Sequence, residues 1–202
     1  MSTAALAKEK KPRFTVPLAK MSLKAWPGRT DTKGIVSSLM ISLVMIGILQ
    51  FGERLDTLLT GGLFPVSGRV ISITMIGLGT MLYGVVGGLI VSEINPLIAT
   101  ATGTSPIAPF FFLTNACQVL SAYITGKIFD NVITWKATIT NGVLATVFLV
   151  LVYIPMHVLY FHMPVEKMVS LYAMQSLFSL TVPAILLRIL LKVVRDAGFV
   201  EE

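Results

Sequence analysis

Val70–Gln118 reads VISITMIGLGTMLYGVVGGLIVSEINPLIATATGTSPIAPFFFLTNACQ, and the fold turns on it. The stretch is apolar, dense in glycine and broken twice by Pro-containing turns. Gly77, Gly79, Gly84, Gly87 and Gly88 flank a tight connection at Tyr83-Gly84. Glycines in such numbers let helices pack backbone to backbone. One continuous helix here would run far past the thickness of a bilayer. The stretch therefore reads as two short spans, Val70–Tyr83 and Val85–Thr102. A loop at Gly103–Pro109 follows, and then the start of a further helix.

Composition sets the class. The hydrophobic fraction is 54% and the charged fraction 13%, against about 25% charged in soluble domains. An all-α integral membrane protein is the expectation. A span needs roughly 20 residues, so one bundle of six uses nearly all of the chain. Cys117 is the only cysteine, which excludes an intramolecular disulfide and a Cys-based metal cluster. The net charge of +6 does not indicate nucleic acid. Its basic residues crowd the N-terminus and point to membrane orientation instead.

Working outward, residues 1–33 form a basic, Pro-broken tail without the apolar core of a signal peptide. It reads as a solvated cytoplasmic tail near anionic lipid, with a short amphipathic piece around Phe14–Trp26. The membrane domain is 34–191 and a short cytoplasmic tail, 192–202, ends the chain. Gly34–Gly52 is the first span. Ser38 and Ser42 share one face there without bulk, which permits close approach by another helix. That helix belongs either to a partner or to the bundle itself. Glu53–Arg69 reads as a long loop of mixed charge, the kind that often acts as a gate. Phe110–Lys127, Ala137–Met156 and Val165–Leu191 complete the six spans, the last with Pro183 as a kink. Six spans put both termini, the Lys127/Lys136 loop and the Arg188/Lys192/Arg195 end on one side. That is the positive-inside distribution of a multi-pass plasma-membrane protein with cytoplasmic termini.

Glu93 lies deep in the third span, where a carboxylate is costly and faces the bundle interior or a wet cavity. It reads as a substrate-binding residue that takes a polar or cationic part of a ligand or holds a side chain that does, the alternative being a protonated or Arg-paired structural acid. Once the orientation is set, three helices offer polar groups at similar depth in the outer half. These are Asn115 and Gln118, then Tyr153 and His157, then Tyr172 and Gln175. Aromatic walls with a few neutral hydrogen-bonding groups suit an uncharged or zwitterionic small molecule. Taken singly, each of these residues reads as an interhelical hydrogen bond. No basic residue is expected to be buried in the outer half, which speaks against a strongly anionic ligand. His157 and His162 do not share a helix face and lack a third ligand, so no metal is expected. No nucleotide loop, nucleophile elbow or HExxH motif is present, and no cofactor is called for.

The order of these features resembles the substrate-binding S component of an energy-coupling factor (ECF) vitamin transporter. The residues that carry the likeness are GLGTMLYGVVGGLIVSEINPLIATATG, then SPIAPFFFLTNA, then three further spans, over about residues 34–191. The resemblance implies a six-helix, non-enzymatic subunit that captures a vitamin or precursor at the outer face. A transmembrane coupling subunit and two cytoplasmic ATPases then drive its release inward. It also implies that the small-residue face of the first span, here Ser38 and Ser42 rather than alanines, meets the coupling subunit. Members that carry nickel or cobalt have a His directly after the first Met, whereas this chain begins Met-Ser-Thr. Two other classes are weighed against this one. A small membrane enzyme would use Glu93 and His157 as acid and base. A non-catalytic assembly protein would use the polar groups for packing alone.

Overall fold

The computed structural model describes residues 30–60, 66–102 and 108–197, and these form helices and their connections with no strand. There are five helices: α1 Thr32–Thr60, α2 Val66–Thr102, α3 Ala108–Ile128, α4 Trp135–Phe161 and α5 Val165–Asp196. The basic tail lies outside the described residues, save for the few nearest α1.

The six expected spans are thus five helices, because Val70–Tyr83 and Val85–Thr102 belong to one element. That element is not straight. Gly84 has φ 77° and ψ −169°, a conformation essentially confined to glycine. A Cβ at Gly79 would lie 2.6 Å from Val91 Cγ2. In a straight helix, residues that far apart in sequence are separated by about 18 Å. The two arms of α2 therefore fold back on each other about Gly84, and the glycines on both sides permit that contact.

α2 is the centre of the bundle and touches every other helix. The most apolar window of α2 is 72% buried, against 28–33% for α1, α4 and α5. Those outer helices turn large side chains outward, among them Met40, Leu43, Phe51, Leu151, Leu177 and Val193. Apolar surface of this extent suits lipid rather than water. Among the described residues four helices are long and apolar enough to cross a membrane, α3 not being among them. The reason lies in its inner face, where Thr114, Gln118, Ser121 and Thr125 recur at helical spacing and are all buried. The architecture is compatible with a multi-pass membrane protein.

The Glu53–Arg69 segment differs most from expectation. α1 continues through Thr60 and α2 begins at Val66, so most of the supposed loop is helix. Asp56 explains how α2 can start there. Its two carboxylate oxygens accept from the backbone N–H of Ser67 (2.9 Å) and Gly68 (3.0 Å). A carboxylate on a helix's first free N–H groups satisfies orphan donors and complements the helix dipole.

Candidate functional site

A cavity of about 70 Å³ opens among the first four helices. Met45 and Leu49 come from the middle of α1; Gly68, Arg69 and Ser72 from the start of α2; Asn95 from its second arm. Phe111, Asn115 and Gln118 come from the first half of α3 down to its midpoint, and Leu149 and Tyr153 from the second half of α4. The lining runs from the middle of the bundle toward the end that carries the α1–α2, α2–α3 and α4–α5 connections. The Gly84 turn and the α3–α4 connection lie at the other end. Residues 61–65 and 103–107 are outside the described residues, and with them the core of both expected lid loops.

The α3 side of the cavity is built around a proline. Pro96 has no N–H, so the helix cannot supply a donor to the carbonyl of Ser92, four residues earlier. Asn115 Nδ2 donates to that carbonyl at 2.7 Å. A carbonyl can only accept, so Asn115 turns its NH₂ toward Ser92 and its Oδ1 away. Gln118 Nε2 then donates to Asn115 Oδ1 at 3.4 Å. This sequence of bonds orients Gln118, whose Oε1 is buried without a hydrogen-bond partner.

The opposite wall is aromatic and charged. Tyr153 and Tyr172 stack with ring centroids 6.0 Å apart, and His157 meets Tyr172 edge-on at 5.9 Å. His157 Nδ1 lies 2.9 Å from the Tyr153 carbonyl and 3.1 Å from the Tyr172 hydroxyl. It serves the first as a donor or the second as an acceptor, according to its tautomer. Arg69 lies against this wall, its guanidinium carbon 4.9 Å from the Tyr153 centroid and 5.4 Å from that of Tyr172. It is only 5% exposed, and its Nη1 has no hydrogen-bond partner. Cation–π contacts are worth about 0.5–2 kcal/mol each. Removing an ion from water costs several kcal/mol even after relaxation, so the rings offset only part of that penalty.

This overturns the expectation that no basic residue is buried at the outer end. Arg69 sits in the first turns of α2 and lines the cavity. The misreading came from its neighbours, since glycines, a proline and mixed charge suggest an exposed loop. The clue present in the sequence was position, because Arg69 directly precedes the apolar run VISITMIGL.

Of the residues expected to bind ligand, Asn115, Gln118 and Tyr153 line the cavity. His157 and Tyr172 stand behind Tyr153 in the aromatic cluster. Gln175 is buried one turn along α5 from Tyr172. Glu93 does not reach the lining; its Oε1 accepts from Ser92 Oγ at 2.9 Å, and its Oε2 is buried without a hydrogen-bond partner. Sequence reading missed Arg69, Ser72, Asn95 and Phe111 as lining residues. Ser38 and Ser42 are fully buried. Ser42 Oγ donates to the Val91 carbonyl at 3.3 Å, and a Cβ at Gly87 would lie 2.9 Å from Ser38 Oγ. Their face is thus covered by the second arm of α2, in agreement with the intramolecular alternative rather than with a face open to a partner. Among the described residues no group of three metal-ligating side chains converges.

No family model, curated protein or solved structure matches this chain.

Proposed function

We propose that this protein is a membrane-embedded, non-enzymatic subunit that binds a small molecule at the outer face, for uptake driven by ATPase partners of the ECF type. The carrying observation is the cavity that reaches toward the loop-rich end, lined by polar side chains from separate helices. α2 crosses the bilayer twice in this reading, and α3 crosses too, its polar residues turned into the bundle. Each arm is about 18 residues, or about 27 Å, close to the hydrocarbon thickness of about 30 Å. Six crossings then put the cavity outside and both termini in the cytoplasm. The cytoplasmic end carries Lys127, Lys136, Arg188, Lys192 and Arg195. Arg188 is anchored there by its Nε–H to the Ile133 carbonyl (3.1 Å) and by the Trp135 ring (4.4 Å), as suits an interfacial cation.

A transmembrane coupling subunit meets another surface than Ser38 and Ser42 in this reading. The exposed face of α1 offers Val36, Met40, Leu43 and Gly47. A Cβ on Gly47 would meet nothing within 4 Å, which leaves a shallow notch. Purification of the tagged chain from its own cells tests the assignment. Two ATP-hydrolysing chains and one further membrane protein should accompany it. Recovery of the chain alone from gently solubilised membranes, with no ATP-dependent uptake in cells that express it, would contradict the proposal.

A further inference from the structure

We infer that the cavity recognises a small organic anion that also carries a hydrogen-bond donor, with Arg69 taking the anionic group and Gln118 the donor. The inference rests on the binding-subunit reading above and adds the chemistry of what is bound. Three observations carry it. Arg69 is buried, lines the cavity, and has an Nη1 that no protein group accepts from. Among the described residues no carboxylate forms an ion pair with it. Asp56, the acid that serves the same helix end, accepts from the backbone N–H groups of Ser67 and Gly68. Second, the first turn of α2 is the positive end of a helix dipole, where a further cation is disfavoured and an anion is welcome. Third, the Ser92–Asn115–Gln118 relay leaves Gln118, a lining side chain, with an Oε1 acceptor that is buried without a partner.

The two unpartnered atoms, Arg69 Nη1 and Gln118 Oε1, are of opposite kind. A guanidinium presents N–H donors in a planar fork that matches a carboxylate. An amide oxygen needs an N–H or O–H. A neutral ligand would leave the Arg69 charge uncompensated, and a cationic one would oppose it. The Phe111 and Tyr153 side chains leave a partly apolar space between, which favours an aromatic or otherwise flat body. An oxyanion here has two sources, a soluble carboxylate and the phosphate of a lipid headgroup. The lining by four helices and the small volume favour the soluble one.

The test uses the full chain in detergent, with thermal stability and calorimetry as readouts. The probes are 4-hydroxybenzoate, its neutral amide 4-hydroxybenzamide, and the cation 4-hydroxybenzylamine, each with and without phosphatidylglycerol in the micelle. A saturable stabilisation by 4-hydroxybenzoate is expected, with the amide and the amine weaker by about tenfold or more. Arg69→Gln should abolish the preference for the acid, Arg69→Lys should keep part of it, and Gln118→Leu should weaken the acid without changing the order. The order among probes is measured on the unmodified protein, so it stands even if a variant fails to fold. Equal binding of acid and amide, or binding of the acid unchanged in Arg69→Gln, overturns the inference while leaving a binding subunit in place. A response to phosphatidylglycerol alone assigns Arg69 to a lipid and also overturns it. Arg69-dependent binding of the acid by a chain that recruits no ATPase leaves the inference standing and removes the transporter reading instead.

Discussion

Asn115 donates to the carbonyl of Ser92 at 2.7 Å, across from α3 to α2, where Pro96 has removed the helical donor. One bond thus repairs a broken helix, joins two elements and orients a cavity residue. Replacing Asn115 by Ala leaves a buried carbonyl unpaired, at a cost of about 1–3 kcal/mol. The loss should be smaller in a Pro96→Ala background, where the helix regains its own N–H. A double-mutant cycle on thermal or denaturant stability measures this coupling. Simple additivity of the two substitutions would count against the repair.

Gly84 is where α2 reverses. A side chain at φ 77° and ψ −169° costs on the order of 1–3 kcal/mol. Gly84→Ala should therefore lower stability by that order, and Gly84→Val by more. Gly47→Ala is the control, since a Cβ there meets nothing within 4 Å. Equal tolerance at both sites would contradict the folded-back α2.

Ser42 is sealed against Val91. Ser42→Leu overfills that contact, and overpacking in a dense interior costs about 1–3 kcal/mol. The expected outcome is a less stable protein with less ligand bound. A variant of normal stability and affinity that fails only in transport would restore this face to a partner.

Topology is open to labelling. In a Cys117→Ala background, a cysteine at His162, between α4 and α5, should react with a membrane-impermeant reagent applied outside. One at Asn131, between α3 and α4, should react only after the membrane is opened. Outside reactivity at Asn131 would invert the bundle and move the cavity to the cytoplasm.

The chain discloses its fold unevenly. The break at Gly84 was legible because crowded glycines and the length of the apolar run both demanded it. So was the polar face of α3, because helical spacing alone sets which side chains share a side. The fate of Arg69 was not legible. Asp56, remote in sequence, starts α2 early, and burial of an arginine between tyrosines from α4 and α5 depends on three helices at once. The choice between the two alternatives for Ser38 and Ser42 was not legible for the same reason. Spacing showed a face free of bulk but not which helix would cover it. Glu93 was placed correctly within an apolar helix, yet depth does not fix the direction of a side chain, and it does not reach the cavity.

The central claim is that the cavity beside Arg69 and Gln118 holds a small molecule. Its most direct test is mass spectrometry of compounds released when the purified full chain is denatured, run beside the Gln118→Leu variant. The account predicts one compound near one equivalent per chain, carrying an acidic group, and depleted about tenfold or more in the variant. No compound above the detergent and lipid background, or equal amounts from both proteins, would contradict it.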